Sequence, residues 1–362
     1  MSKGKCVEKM RTFVPTRAQL NGILLGQVIS ILIVGTGLTS SLLADKYKVN
    51  IPTTQSFLNY FLLSFLLIPL SIMNKREREE ERPETGVSSA EDGKNEKLWE
   101  IFKKRGWIYL LLAIVDVEAN FLVVLAYQYT SITSVMLLDC FTIPCVMFGS
   151  YFFLKYKYRA MHIIGAGMSI SGIALLMVGD VLTSDESNRP PNPLLGDCLC
   201  LIGAILYSVS NVGQEKMVCQ LNYKRTEYLG FLGFFGSIVG FVQVMIIERS
   251  RLPGIDWQWQ VILLMLGFAI CLFCMYTLVP TMLRVSSATF LNLSLLTSDG
   301  FSIIISIYVF NQKPSIFYYF SLVLAIVGLF IYNAANNIQE NSNFQFNKLL
   351  TEPISEEIPK EN

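Results

Sequence analysis

The sequence predicts an all-α integral membrane protein with ten transmembrane helices arranged as two inverted five-helix repeats. Three observations predict it: the composition, the number of long apolar runs, and a pattern that recurs in the two halves. Of the 362 residues, 52% are hydrophobic and only 16% are charged, whereas soluble domains carry about a quarter charged residues. The formal net charge of +1 provides no basic field, so nucleic acid is not expected as a partner.

Each of ten apolar runs is long enough to cross a bilayer core, which requires about 20 residues of helix. Backbone groups in lipid must form their hydrogen bonds within their own segment, so each run is predicted to be a helix. The predicted spans, in chain order, are residues 22–43, 55–73, 107–126, 134–153, 161–178, 195–214, 228–247, 260–280, 287–310 and 315–333.

The distribution of Lys and Arg predicts the orientation of these spans. An even number of spans puts both termini on one side, and basic residues concentrate in cytoplasmic segments. The segments on the side of the termini hold 23 of the 29 basic residues, and the loops on the other side hold 6. Both termini, residues 1–21 and 334–362, are therefore predicted to be cytosolic.

The spans divide into a first half, residues 22–178, and a second half, residues 195–333, joined by an outside loop at 179–194. A charged cytosolic loop at 74–106 interrupts the first half, and its mixed charges with Pro, Gly and Ser indicate a flexible linker. The polar tail at 334–362 is predicted to be disordered. A regulatory role for the loop or the tail is the alternative interpretation.

The two halves share a pattern at their fourth spans. Residues 133–135 and 287–289 introduce their spans with similarly small side chains, and Pro144 then falls opposite Ser298. Because each half has an odd number of spans, the second half enters the membrane from the opposite side. Inverted repeats of this kind can exchange two near-equivalent packings, which favours transport by alternating access.

Four carboxyl groups lie at membrane depth, where an ionisable group is costly unless it is paired or hydrated. Asp116 and Glu118 lie in the third span, Asp139 in the fourth and Asp299 in the ninth. No Lys or Arg falls within a predicted span. These groups must therefore face water or become protonated, since burial raises the pKa of a carboxyl group. Both options favour the lining of a wet central chamber.

Helical spacing groups polar residues around these carboxyls. Asp116 and Asn120 are four residues apart and share a face, whereas Glu118 is about 200° around the helix from Asp116. We predict that Asp116 faces the chamber and that Glu118 packs against a neighbouring helix or polar partner. The candidate substrate-binding residues are Asp116, Asn120, Tyr127, Asp139, Tyr207, Asn211, Asn292 and Asp299.

Amides, phenols and carboxylates together suit a flat, hydrogen-bonding solute, because amides bind its edges and a carboxylate meets a ring N–H or a cation. Asp116 and Glu118 are the candidates for proton coupling. The alternative is that Asn and Asp side chains only join helices to one another. Similarly, Gly233, Gly236 and Gly240 are predicted to let one helix approach its neighbour closely.

Signals for enzyme chemistry are weak. The chain has one histidine, His162, and Cys271 and Cys274 lie mid-span with no second cysteine pair, so neither a metal site nor a cofactor is expected. Phosphate-binding glycine loops, HExxH and Gly-x-Ser-x-Gly are not found, so an enzyme is disfavoured. A receptor or scaffold that moves no solute remains an alternative.

Six segments of the chain together form a recognisable pattern. They are YKVNIPTTQSF at 47–57, AIVDVEAN at 113–120, AYQYTSITS at 126–134, LDCF at 138–141, LYSVSN at 206–211 and SSATFLNL at 286–293. This pattern resembles the F subfamily of solute carrier family 35, within the drug/metabolite transporter superfamily. The resemblance extends over roughly residues 20–335.

The resemblance implies ten helices, cytosolic termini and two inverted five-helix repeats around a central cavity. It also implies a small-molecule substrate, of which a nucleobase-like or vitamin-like micronutrient, and queuine-type bases in particular, is the leading candidate. A nucleotide-sugar exchanger of endomembranes is the alternative. The expected location is the plasma membrane or the Golgi and endosomal membranes, and the oligomeric state is left open.

Overall fold

The structure, a computed structural model, describes residues 17–80, 98–126, 129, 138–139, 141–183, 193–298, 301, 319–320, 323–324, 326–332 and 334. The regular elements in this part of the chain are helices. In chain order they are α1 (Arg17–Tyr47), α2 (Pro52–Ser64), α3 (Leu67–Glu80), α4 (Leu98–Ala126), α5 (Thr142–Phe153), α6 (Ala160–Thr183), α7 (Pro193–Glu215), α8 (Arg225–Gln243), α9 (Trp259–Val285) and α10 (Ala288–Leu295). Single π-helical turns extend α7 through Gln220 and α8 through Glu248.

Within the described residues, six helical stretches are long and apolar enough to cross a membrane, which agrees with a multi-pass membrane protein. They are Leu20–Ser40, Pro52–Arg76, Leu98–Val123, Leu194–Gln220, Arg225–Glu248 and Trp259–Val285, with Thr142–Phe153 as a shorter apolar helix. Large apolar side chains such as Trp107, Phe148 and Ile246 are exposed on the outside of the bundle, as lipid contact requires. The count of ten spans and the two five-helix repeats stay predictions, because the fourth, ninth and tenth predicted spans are only partly described.

The helices extend beyond the predicted spans, which corrects several boundaries. The segment 74–106 was expected to be a loop throughout, but α3 continues to Glu80 and α4 begins at Leu98. Hydropathy locates only the part of a helix inside the hydrocarbon, whereas backbone hydrogen bonding continues into the polar interface. Lys103, Lys104 and Arg105 consequently belong to the first turns of α4.

Three helix pairs form the bundle: α1 with α9, α2 with α8, and α4 with α7. Glycines of α8 allow α8 and α2 to pack closely against each other. A Cβ atom added at Gly233 would lie 2.6 Å from the Cβ of Leu63, and one at Gly236 would lie 2.6 Å from Cδ1 of Tyr60. The predicted packing role is confirmed for Gly233 and Gly236, whereas a Cβ at Gly240 would meet Phe57 only at an ordinary 3.6 Å.

The bundle has two ends, each identified by a buried glutamate. We call one the Glu215 end, where residues 154–160, 215–227 and 285–288 meet. The other is the Glu248 end, where residues 48–54 and 248–258 meet.

Candidate functional site

Asp116, midway along the third predicted span, accepts hydrogen bonds from three hydroxyl groups. Its Oδ2 accepts from Tyr60 at 2.7 Å and from Tyr276 at 2.6 Å, and its Oδ1 accepts from Ser210 at 2.7 Å. The two phenol oxygens are 3.3 Å apart. Hydroxyl groups from α2, α7 and α9 thus converge on one carboxyl group of α4.

Asn120, one turn along α4, extends this network. Its Nδ2 donates to the Tyr60 hydroxyl at 3.1 Å and to the backbone carbonyl of Asp116 at 2.8 Å. Its Oδ1 accepts from the Tyr207 hydroxyl at 2.9 Å. We call this set the Asp116 cluster; its members are Tyr60, Asp116, Asn120, Tyr207, Ser210 and Tyr276.

A second polar contact lies one turn further along α7. Asn211 Nδ2 donates to Asn292 Oδ1 at 3.2 Å, and Asn292 Nδ2 donates to the Ala288 carbonyl at 2.8 Å. This contact joins α7 to α10. Of the eight predicted binding residues, three therefore belong to the Asp116 cluster and two form this neighbouring pair.

Other predicted residues lie elsewhere. Glu118 is directed toward α8, where its Oε1 accepts from Gln243 Nε2 at 2.9 Å. Asp139 is exposed, and it is adjacent to Leu138, which packs against Ala126 at the far end of α4. Ten residues of helix separate Ala126 from Asp116, which places Asp139 roughly 15 Å away along the axis. Tyr127 and Asp299 lie outside the described residues.

The expected wet chamber around Asp116 stays a prediction, because several segments of the predicted spans lie outside the described residues. Asp116 is only 6% exposed, and three hydroxyl donors occupy its carboxyl oxygens. A narrow cleft of about 20 Å³ lies beside the cluster between α2, α4 and α8, lined in part by Ser56, Tyr60 and Asn120. That volume holds about one water molecule. Within the described residues, the Asp116 carboxyl group is thus buried beneath its own hydroxyl donors.

Sequence reasoning missed Tyr60, Ser210 and Tyr276, which complete the shell of Asp116. A tyrosine or serine in an apolar span is common and carries no charge, so its residue type alone does not mark it. A buried carboxylate with no cation in any predicted span needs several hydroxyl or amide donors. That need was the available signal that further hydroxyl groups surround Asp116.

At the Glu215 end, Glu215 joins three segments. Its Oε1 accepts from the Tyr156 hydroxyl at 2.8 Å, and its Oε2 accepts from the backbone N–H of Ala288, the first residue of α10, at 2.9 Å. Burial, and then the nearby Glu215 carboxylate, raises the pKa of Tyr156 above its usual range. The phenol therefore stays protonated and remains a donor.

Two further carboxylates join the predicted halves. Glu227 of α8 accepts from Arg105 at 2.8 Å and from the Tyr109 hydroxyl at 2.7 Å, both on α4. At the opposite end, Glu248 accepts from the backbone N–H groups of Thr53 and Thr54, each at 2.8 Å, in the first turn of α2. A carboxylate at a helix N-terminus is favourable because the N–H groups there lack helical partners.

Comparison with known proteins identifies the family. The sequence model of solute carrier family 35 (SLC35F) matches residues 15–334. The chain belongs to solute carrier family 35. Its relatives include solute carrier family 35 member F2 of Mus musculus, 40% identical over 91% of this chain and 83% of the relative, and member F2 of Xenopus tropicalis, 38% identical over 89% and 78%. The Schizosaccharomyces pombe relative C320.08, an uncharacterized member of the same family, is 36% identical over 85% of this chain and 57% of its own length.

Membership in family 35 makes this chain a multi-pass membrane protein of a solute transporter family, whose members are transporters rather than enzymes. A lipid bilayer and a small-molecule substrate are therefore its partners. One solved crystal structure of a protein has a TM-score of 0.60 at 14% identity and covers 86% of this chain and 96% of that chain. At that identity the likeness concerns the fold alone.

Proposed function

We propose that this protein is a secondary transporter that moves a flat, polar organic solute across a membrane by alternating access. The solute is nucleobase-like or vitamin-like, with queuine-type bases as the leading candidate. The observation that carries the proposal is the Asp116 cluster. Its buried carboxyl group lies on α4 of the first predicted half, and its hydroxyl donors come from α2 of the same half and from α7 and α9 of the second.

The cluster offers complementary groups to such a solute. Asn120 can donate and accept along a ring edge, Tyr60 and Tyr276 can stack or donate, and Asp116 can accept from a ring N–H. In the structure these groups hydrogen-bond to one another. An arriving solute would replace hydroxyl donors on Asp116 with its own, so that the carboxyl group stays hydrogen-bonded throughout.

Alternating access requires contacts between the halves that can break at either end. Glu227 with Arg105, and Glu215 with Tyr156, would hold the Glu215 end closed, whereas Glu248 with the first turn of α2 would hold the other end. The distribution of basic residues supports the Glu215 end, and both termini, as cytosolic. Ten spans in two inverted five-helix repeats complete this proposal.

Asp116 also supports proton coupling. No Lys or Arg donates to it in the part of the chain that the structure describes, and its Tyr and Ser partners can either donate or accept. The carboxyl group can therefore bind and release a proton without leaving a buried group unpaired. A carboxylate at the centre of the site would repel the negatively charged diphosphate of a nucleotide sugar. This repulsion disfavours the alternative that the protein is a nucleotide-sugar exchanger.

Uptake by purified protein in liposomes tests the proposal. Tritiated purine bases, a pyridine vitamin and a UDP-sugar would be offered to vesicles that contain the intact protein, an Asn120→Leu variant, or no protein. We expect a base or vitamin to accumulate only with the intact protein. Accumulation of the UDP-sugar alone, or no flux of any solute, would refute the proposed substrate class.

A further inference from the structure

Two amide side chains on α2 are buried, and polar atoms of both lack a hydrogen-bond partner among the described residues. Asn59 is 0% exposed, and neither its Oδ1 nor its Nδ2 has a partner in the described structure. Gln55, one turn earlier, is 2% exposed, and its Oε1 also lacks a partner. Most buried polar groups in native proteins are hydrogen-bonded, so groups like these require an explanation.

Both amides lie on the helix that contributes Tyr60 to the Asp116 cluster. Asn59 directly precedes Tyr60, whose hydroxyl binds Asp116, and residues four apart such as Gln55 and Asn59 share one face of the helix. On one side of that face, Tyr60 packs against α8 at Gly236. On the other side, Leu58 packs into the cluster that contains Leu43 of α1 and Val261 of α9.

The face that carries Gln55 and Asn59 is thus directed into the bundle. Phe61 and Phe65, on the other side of the same span, are exposed in the manner of lipid-facing residues. The amides are therefore neither on the lipid surface nor part of the hydrogen bonding of the cluster. They lie on the Glu248 side of Tyr60, along α2.

We propose that Asn59, supported by Gln55, is a specificity-determining residue that binds the lactam edge of the transported base. The inference rests on the proposed function. A free carboxamide presents one donor and one acceptor side by side, which is the complement of a ring N–H next to a carbonyl group. The donor and the acceptor of Asn59 are therefore both available to the matching acceptor and donor of a lactam edge.

A site that hydrogen-bonds a substrate N–H discriminates strongly against the analogue that lacks it, because the polar group of the protein is then left unpaired. Hypoxanthine has the lactam edge, and 1-methylhypoxanthine has a methyl group in place of the N–H on that edge. We expect the KM of the intact protein for hypoxanthine to be at least about tenfold lower than for the methylated base.

The test compares Asn59→Leu with Asn74→Leu in liposome uptake and thermal unfolding. Asn74 provides a matched control, because it is also buried but accepts a hydrogen bond from Lys224 at 2.8 Å. Asn59→Leu should raise the KM for hypoxanthine about tenfold, remove the discrimination against 1-methylhypoxanthine, and unfold at no lower temperature than the intact protein. Asn74→Leu should unfold at a lower temperature with the KM unchanged.

Each contrary result has a distinct meaning. If Asn59→Leu changes the maximal rate but leaves KM and discrimination unchanged, the amide only biases the conformational balance and the inference is wrong. If Asn59→Leu destabilises the protein as Asn74→Leu does, the amide has a structural partner and the inference also fails. If the intact protein carries neither of these bases but accumulates another purine base or the pyridine vitamin, the inference fails and the proposed function stands. If it accumulates no base or vitamin, both fail.

Discussion

Replacing Asp116 by asparagine tests whether the central carboxyl group carries a coupling proton. The change keeps the shape of the side chain but removes its charge and turns one acceptor atom into a donor. Tyr60, Tyr276 and Ser210 donate to the carboxyl oxygens at 2.6–2.7 Å. An amide oxygen can accept from two of these hydroxyls, and the third must rotate to accept from the new N–H group.

The size of the effect follows from these three contacts. A hydrogen bond to a charged group contributes about 1.5–3 kcal/mol and a neutral one about 1 kcal/mol, so three exchanged bonds cost roughly 3 kcal/mol of stability in the ionised state. We expect Asp116→Asn to unfold at lower temperature and to show uptake that is abolished or no longer depends on pH.

The assay is uptake of a tritiated base into liposomes between pH 5.5 and 7.5 on the outer side, roughly spanning the range in which coupled carboxyl groups of transporters exchange protons. Glu118→Gln is the control, since Glu118 lies two residues away but bonds Gln243 on another face. Its pH profile should match that of the intact protein. Uptake by Asp116→Asn that stays unchanged and still varies with pH would refute the assignment.

Two further predictions concern packing and the contact between the halves. Arg105→Met should destabilise the protein by about 3–5 kcal/mol, because it leaves the buried Glu227 carboxylate without its cation. Adding Glu227→Gln to that variant should recover most of the lost stability. Purely additive effects of the two substitutions in thermal unfolding would contradict this expectation. Gly236→Ala should cost about 1–3 kcal/mol and lower uptake, because a Cβ there would lie 2.6 Å from the Tyr60 ring. Gly240→Ala should be tolerated, since its Cβ would meet Phe57 at an ordinary 3.6 Å, and equal uptake by the two alanine variants would refute that reasoning.

The sequence contains enough information to predict the membrane class and part of the site. The four-residue spacing of Asp116 and Asn120 predicts that they share one face of the helix, and the structure has them hydrogen-bonded to each other. The separation of about 200° around the helix between Asp116 and Glu118 predicts that Glu118 lies on another face, where it contacts Gln243. Those relations are local to one helix, so helical geometry alone determines them.

Relations between helices could not be predicted in the same way. Tyr60 and Tyr276 meet at Asp116 although they are 216 positions apart in the chain, and only the packing of α2 and α9 against α4 brings them together. Similarly, hydropathy did not indicate that α4 begins as early as Leu98. Because of that early start, Arg105 is part of the helix and lies opposite Glu227.

The glycine contact between α2 and α8 limits how the bundle can move. Under the proposed repeat, these helices are the second spans of the two halves, so they are symmetry mates and their seam lies on the pseudo-twofold axis. Because Gly233 and Gly236 allow no gap against Leu63 and Tyr60, tilting one helix relative to the other would cause collisions along the seam. The pair is therefore expected to act as a rigid pivot, about which the outer helices swing while the distance between α2 and α8 stays constant.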